Sequence, residues 1–184
     1  MNKWRIVYPP TFYQGNHNHI CSIILVNTNI SMNSYTSLDI PSSDITAIHF
    51  RGKFGHCSIF NIYNNCTNNN TIDALCAYLN NHPQVAPSSP TDHMLWFRDF
   101  NHHHPLWEAN HNSHLYNSSE MIDPLLDLVT AHNMTTILLP GIPTYEMTTS
   151  NWTHPDNIWH NNIPTDPITS CNVEFAPQML TTSP

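Results

Sequence analysis

A short apolar run that passes directly into polar residues does most to limit how this chain can fold. Residues 95–97, Leu-Trp-Phe, predict a buried strand, and Asp99 and Asn101 follow at its carboxyl end with Phe100 between them. Open α/β folds place their chemistry at that end of a strand. If the segment stays extended, Asp99 and Asn101 point to one side while Phe100 packs on the other. A carboxylate and a carboxamide presented together suit a hydrated divalent cation and a phosphate oxygen.

The length of 184 residues predicts one domain, spanning residues 1–184, with room for a hydrophobic core. The sequence contains no apolar run of the roughly 18 residues that a membrane span needs, and its N-terminus lacks the apolar stretch of a signal peptide. We therefore expect an intracellular protein that is not secreted and has no membrane partner, and the nucleus stays open as its location within the cell. Five cysteines without a C-x-x-C pair predict reduced thiols, not a disulfide framework.

The charge balance limits how the chain can bind nucleic acid. Five Lys and Arg against 13 Asp and Glu give a net charge of -8 at pH 7 with neutral histidines. A protein that held DNA only by neutralising phosphates would carry the opposite sign. Any binding to DNA must therefore be weak, assisted by a metal ion or supplied by another module.

Hydrophobic periodicity predicts strands that alternate with two helices. One helix is expected from an N-cap at Thr71 to Pro83, because apolar residues recur on one helical face. A second is expected over residues 118–132, with Pro124 in or near its first turn, where a missing N–H matters least. The alternation indicates an α/β fold with mixed or antiparallel sheets. Strands are predicted at residues 22–30, 45–50, 57–63, 95–97, 136–139, 144–147, 157–159 and 171–175, with a hairpin turn at residues 51–55.

Residues 96–107, Trp-Phe-Arg-Asp-Phe-Asn-His-His-His-Pro-Leu-Trp, resemble the Gly-Asp-Phe-Asn motif of the endonuclease/exonuclease/phosphatase superfamily. With the His-His-Pro-Leu-Trp extension, the segment is similar to the endonuclease domain of non-LTR (LINE-type) retrotransposons. Residues 60–65, 141–144 and 151–159 resemble that family's Asn-x-Tyr, Gly-x-Pro-Thr and Asp-bearing strands, in the same order. The resemblance implies a four-layer α/β sandwich, in which two packed mixed sheets are flanked by helices.

The resemblance also implies a reaction and the residues that perform it. The family hydrolyses phosphodiester bonds with Mg²⁺ (or Mn²⁺), and Asp99 matches the aspartate that holds the metal and orients or deprotonates the attacking water. Asn101 matches a group that holds a phosphate oxygen or positions that water, Tyr63 matches a tyrosine whose phenol reaches the phosphate, and Asp156 matches the aspartate that orients a histidine near the C-terminus. Substrate contacts are implied for Asn61, Thr144 and His103. The implied activity is nicking of DNA to prime the reverse transcriptase module of the parent element.

Three departures from the family pattern lead us to expect a weak or inactive copy. Arg98 stands where the family has glycine, and its guanidinium can pair with Asp99 and compete with Mg²⁺. The family's early metal-binding glutamate has no match near the start of the chain. The family's closing Thr-Asp-His motif has none either, because the sequence ends Thr-Thr-Ser-Pro at residues 181–184. We therefore expect a domain truncated at both ends, with an incomplete sandwich.

Two other functions stay open at this stage. A phosphatase of the same superfamily would act on lipid or small phosphoesters, although the retrotransposon-like segments favour the endonuclease. A non-enzymatic remnant would bind metal or protein through its histidines: His102, His103 and His104 are consecutive, and His111 and His114 are near in sequence. Three consecutive histidines on a strand cannot all face one ion, and no cysteine or i,i+4 histidine pair on a clear helix completes a zinc site.

Overall fold

The computed structural model describes residues 3–15, 19–53, 55–161 and 170–173. The helices are α1 (Pro10–Tyr13), α2 (Asn70–Asn81) and α3 (Ser119–Ala131), with 3-10 turns at Met32–Ser34, Pro83–Val85 and Asn110–Leu115. The strands are β1 (Trp4–Val7), β2 (Ile24–Asn27), β3 (Tyr35–Ser37), β4 (Ile45–Gly52), β5 (Gly55–Ile62), β6 (His93–Asp99), β7 (Met134–Thr136), β8 (Tyr145–Glu146), β9 (Trp152–Thr153) and β10 (Asp156–Asn161).

A mixed six-stranded sheet forms the centre of the fold. Its strand order is β3-β4-β5-β6-β10-β7, and β1-β2 and β8-β9 form separate two-stranded sheets. β4 and β5 make an antiparallel hairpin in which Gly52 lies opposite Gly55, as the predicted turn requires. β5 and β6 run parallel, because the chain returns through α2 between them. β10 lies antiparallel between β6 and β7, so a late segment of the chain enters the middle of the sheet.

The two faces of this sheet bury different cores. On one face, Trp96 of β6 belongs to the same core as Leu75 of α2 and Leu125 of α3. On the other face, Ile48 of β4 packs with Val26 of β2. Helices therefore cover one face and the β1-β2 ribbon covers part of the other, which confirms the predicted α/β class and sandwich architecture. No helix within the described ranges is long and apolar enough to cross a membrane.

Most predicted elements are present, with shifted ends. The strand predicted at residues 136–139 is β7, which begins at Met134, and β1 has no counterpart among the predicted strands. Residues 171–173 form no strand, while residues 174–175 and the closing residues 181–184 lie outside the described part of the chain. The prediction of Thr71 as an N-cap is wrong. Asn69 precedes α2, and the buried Thr71 hydroxyl donates to Asp44 Oδ2 at 3.4 Å.

Pro124 lies in the second turn of α3, just past the first turn near which it was predicted. A proline there cannot donate a hydrogen bond to the carbonyl of Glu120, four residues earlier. Asn69 supplies the missing donor from the loop before α2, since its Nδ2 donates to Glu120 O at 3.2 Å. A side chain at the start of one helix thus satisfies a carbonyl that the proline leaves free in the other.

We expect Asn69→Ala to lower the free energy of unfolding by about 1 kcal/mol, the usual worth of one such hydrogen bond. In a Pro124→Ala background the restored N–H can bond Glu120 O, so the same Asn69 change should cost less. Urea unfolding of the four proteins in this double-mutant cycle measures the difference. Equal costs in both backgrounds would show that Asn69 does not compensate for the proline.

Candidate active site

Two aspartates lie opposite each other at one end of the central sheet. Asp99 is the last residue of β6 and Asp156 the first of β10, and they are directly paired across the antiparallel strands. Asn64 N–H donates to Asp99 O at 2.9 Å, and Phe100 N–H donates to Pro155 O at 3.2 Å. Backbone bonds to the end of β5 and to the entry of β10 therefore fix the relative position of the two half-buried carboxylates.

The two carboxylates repel each other. Burial raises the pKa of the Asp99 carboxyl above its ordinary value, and the negative charge of Asp156 raises it further. Hydrogen bonds from Asn101 and the charge of Arg98 act in the opposite sense without cancelling the rise. A bound cation or a proton relieves this repulsion, so the pair favours a positively charged ligand.

Asn101 reaches the site through a turn, and the predicted extended geometry is wrong. Its φ is +51°, in the left-handed region that asparagine tolerates, and its N–H donates to Asp99 Oδ1 at 3.0 Å. The intervening Phe100 is fully buried, as expected. Asn101 Nδ2 also donates to Asn64 O at 2.7 Å, which holds the carboxamide in place. Asp99 and Asn101 therefore converge because the main chain turns, not because strand side chains alternate.

Asn64 is a structural residue of the site that sequence analysis does not single out. Its side chain is fully buried, and its Nδ2 donates to Phe100 O at 3.1 Å and lies 3.2 Å from His102 Nε2. With its backbone bond to Asp99, it joins the end of β5 to the turn after β6. Its position directly after Tyr63, at the end of a predicted strand, is the available signal. In an Asn-rich segment that signal is lost among ordinary loop asparagines.

Tyr63 follows β5 and shares the electrostatic environment of Asp99. Its main-chain N–H donates to Asp44 O at 2.9 Å, which fixes the end of the strand. Burial raises the pKa of the Tyr63 phenol, and the neighbouring Cys21 and Asp99 raise it further. The phenol therefore keeps its proton at neutral pH and can donate a hydrogen bond.

A cavity of about 550 Å³ opens beside Asp156 and is also lined by Asn61 and Thr144. Asp156 N–H donates to the Thr144 hydroxyl at 3.2 Å, which connects the start of β10 to the segment before β8. Asn61 Nδ2 donates to Ile23 O at 2.7 Å and so ties β5 to the segment leading into β2. The structure brings Asn61, Thr144 and Asp156 to one cavity, next to the Asp99 turn.

The three consecutive histidines have three different environments. His102 is fully buried, His103 Nδ1 lies 2.7 Å from Glu108 Oε2, and the His104 ring packs on Trp107 with centroids 5.2 Å apart. Within the described ranges, no group of three or more His, Cys, Asp or Glu side chains is arranged to hold a metal ion. A zinc site built on these histidines is therefore absent from that part of the chain.

Mg²⁺ makes a different demand on the protein. It binds through one or two carboxylates and takes water molecules and substrate phosphates as its other ligands. Asp99 and Asp156 supply two adjacent carboxylates whose mutual repulsion a cation relieves. This donor set fits Mg²⁺ or Mn²⁺ at the ends of the two strands.

Arg98 has a backbone conformation that favours glycine, the residue found here in the family that the motif resembles. Its φ is +107°, which is strained for a residue with a Cβ atom and ordinary for glycine. The guanidinium Nη1 donates to the carbonyl of Cys21. The anticipated pairing of Arg98 with the Asp99 carboxylate is therefore replaced by a bond to the main chain.

The central mixed sheet, with helices on one face and a strand ribbon on the other, defines an α/β sandwich with a pair of aspartates at one end of two adjacent strands. Among solved structures, the endonuclease domain of TRAS1, a telomere-specific non-LTR retrotransposon, matches with a TM-score of 0.61 and 9% identity, over 88% of this chain and 68% of that one. The likeness confirms the predicted resemblance at the level of the fold.

Two cytolethal distending toxin structures are more distant matches. Those from Actinobacillus actinomycetemcomitans and Haemophilus ducreyi give TM-scores of 0.43 and 0.39 at 17% and 14% identity. Each covers 76% of this chain, and 48% and 47% of the respective toxin chain. No family model matches the sequence, and no curated protein does.

We expect Arg98→Gly to be more stable than Arg98→Ala by about 1 kcal/mol, because both lose the bond to Cys21 but only glycine removes the backbone strain. Urea unfolding of both variants and the parent protein measures this difference. Equal stability of the two variants would contradict the assignment of strain to this position.

The raised pKa of Asp99 predicts how stability depends on pH. At acidic pH below the ordinary carboxyl pKa, Asp99 is protonated in both the folded and unfolded chains and costs nothing. As the pH rises through its folded pKa, ionisation beside Asp156 destabilises the folded state. Asp99→Asn should therefore gain stability over the parent protein between acidic and neutral pH. Thermal unfolding without divalent ions measures this, and a stability difference that is constant over the series contradicts it.

Proposed function

We propose that the chain is the endonuclease domain of a non-LTR retrotransposon and hydrolyses DNA phosphodiester bonds with Mg²⁺ or Mn²⁺. The observation that carries the proposal is the pairing of Asp99 with Asp156 at adjacent strand ends, beside Tyr63 and Asn101. The likeness of the fold to a retrotransposon endonuclease supports the same proposal.

The side chains divide the work of hydrolysis. Asp99, whose pKa burial and Asp156 raise, orients the attacking water and accepts its proton. Tyr63 donates its phenol hydrogen to a phosphate oxygen. The Asn101 side chain is held by hydrogen bonds to Asn64 O and to the Asp99 carboxylate, and in this proposal it reaches the phosphate from beside that carboxylate. Asp99 and Asp156 would hold a divalent ion, which when bound would neutralise phosphate charge and assist the leaving oxygen.

Three further residues contact the DNA in this proposal. Asn61 and Thr144 line the cavity next to Asp156, where the strand on either side of the scissile phosphate would lie. A protonated His103 ring can donate Nδ1–H to Glu108 and Nε2–H to a phosphate oxygen, and its side chain is 22% exposed. The three residues thus bind the substrate without taking part in bond cleavage.

The charge of the chain shapes the proposed partners. With a net charge of -8, the domain depends on the bound cation and on the reverse transcriptase module of the parent element for its affinity to DNA. The reaction belongs inside the cell and, where the target is chromosomal DNA, in the nucleus. We propose that this copy is weak, because the positive charge of Arg98 next to Asp99 disfavours a cation at the carboxylate pair.

We expect Asp99→Asn to reduce Mg²⁺-dependent nicking of supercoiled plasmid by about 100-fold or more, because the variant loses both the proton acceptor and a metal ligand. Arg98→Gly should raise the rate, since it removes the competing positive charge. The matched control is Asp127→Asn, which alters an exposed aspartate on α3 and should leave the rate unchanged.

The outcome separates the candidate functions. Nicking that survives in Asp99→Asn would overturn the assignment of this site. Release of phosphate from small phosphoesters without nicking of DNA would favour the phosphatase alternative.

A further inference from the structure

We propose that Glu108 is a positioning residue that holds Asp99 and Asp156 at the separation a divalent ion requires, an inference that rests on the proposed metal-dependent function. Glu108 lies in the loop that follows the Asp99 turn and is only 3% exposed. Its Oε2 accepts the N–H of His154 at 3.0 Å, two residues before Asp156. One buried carboxylate therefore joins the loop after the first aspartate to the segment before the second.

The other oxygen of Glu108 extends the connection. Oε1 accepts hydrogen bonds from Asn112 Nδ2 at 2.8 Å and from the N–H of Ala109 at 3.1 Å. Asn112 Nδ2 in turn donates to Trp152 O at 2.7 Å, and Asn151 Nδ2 donates to Asn112 Oδ1 at 3.1 Å. Glu108 and Asn112 thus hold residues 151–154 against the loop at several points along the chain.

The hydrogen bonds of Glu108 and Asn112 to residues 151–154, here called the clamp, oppose the electrostatic repulsion between Asp99 and Asp156. Ionised Asp99 and Asp156 repel each other across the ends of β6 and β10, where the bond from Phe100 N–H to Pro155 O ties the two main chains. Without an anchor, the ends of the two strands can move apart, and each carboxylate then loses its place in a shared coordination shell. Groups behind the metal ligands commonly alter metal affinity by about 10- to 100-fold when they are removed.

The carboxylate of Glu108 is also held in the charged form that this role needs. Burial by itself raises its pKa, but hydrogen bonds from Asn112, His103, His154 and Ala109 outweigh burial and bring the pKa below its ordinary value. The group stays an acceptor on both oxygens at neutral pH. In Glu108→Gln an amide N–H₂ replaces one of these oxygens and faces another donor.

Asp92 provides a matched control. It is 4% exposed and precedes β6, at the opposite end of the strand from Asp99. It accepts bonds from the N–H groups of His56, Ser88 and Ser89 at 3.1, 3.0 and 2.8 Å. Asp92→Asn therefore damages an equally buried and equally bonded carboxylate without touching the proposed metal site.

The experiment measures Mg²⁺ affinity by calorimetry on folded protein, with nicking as a second readout. We expect Glu108→Gln to bind Mg²⁺ about 10-fold more weakly or worse, and Asp92→Asn to bind it like the parent protein despite a comparable loss of thermal stability. If Glu108→Gln does not fold, Asn112→Ala breaks one arm of the clamp and should weaken Mg²⁺ binding by a smaller factor. Parent-like Mg²⁺ affinity in the folded Glu108 or Asn112 variant would overturn the proposal.

A metal-free readout separates this inference from the proposed function. If the parent protein binds no Mg²⁺, the metal-dependent function fails, and amide hydrogen exchange then decides the positioning role. Exchange at the Phe100 N–H should accelerate in Glu108→Gln but not in Asp92→Asn, because only the former loosens the ends of β6 and β10. An unchanged exchange rate at the Phe100 N–H would show that Glu108 stabilises only its own loop and does not position the two aspartates.

Discussion

Repulsion between two like charges is the constraint on which the organisation of this domain turns. Asp99 and Asp156 are directly opposed across β6 and β10, and their partial burial reduces the screening by water. The two carboxylates themselves do not favour a short separation. The surrounding hydrogen bonds hold them together, from Asn64 on the β5 side and from the segment before Asp156 on the β10 side. The free energy of these hydrogen bonds offsets the repulsion between the two carboxylates. A cation bound between them would lower that repulsion.

The field also accounts for the character of the groups nearby. A protonated phenol at Tyr63 and carboxamides at Asn61 and Asn101 bring polarity without adding negative charge. A chain with so few basic residues gains little attraction to a polyanion from its surface, so the proposed function assigns that attraction to an ion at the site. Composition and site geometry are therefore consistent with the proposed function, in which a metal ion would lie between the carboxylate pair and a phosphate.

Local sequence patterns predict much of this fold, because strands and helices differ in the spacing of their apolar residues. The apolar run at residues 95–97, the hairpin at 51–55 and the helix at 118–132 all follow from neighbouring residues. Periodicity does not join Tyr63, Asp99 and Asp156 into one site, and only the resemblance of their motifs does. Glu108 and Asn69 escape both approaches. Their partners are 46 and 51 residues away, so their roles exist only once the chain has folded.

The turn at Asn101 shows a second limit. An alternating pattern assumes that the strand continues, but the main chain leaves the extended region at Arg98 and again at Asn101. Such departures depend on tertiary contacts, here the bonds of Asn101 to Asn64 and of Arg98 to Cys21. Only the glycine of the related motif gives a hint, because glycine at that place signals an unusual φ.

The place of β10 in the sheet has a consequence for how the protein is made. β10 is the last described strand of the chain, yet it lies between β6 and β7 and not at an edge. A nascent chain can therefore form the β4-β5 hairpin and both long helices while residues 156–161 are still inside the ribosome, but it cannot close the sheet. During that interval β6 and β7 present unpaired edges to other chains, which is a route to aggregation. The segment that ends at Asn161 therefore provides both the strand that pairs with β6 and β7 and the second aspartate of the site.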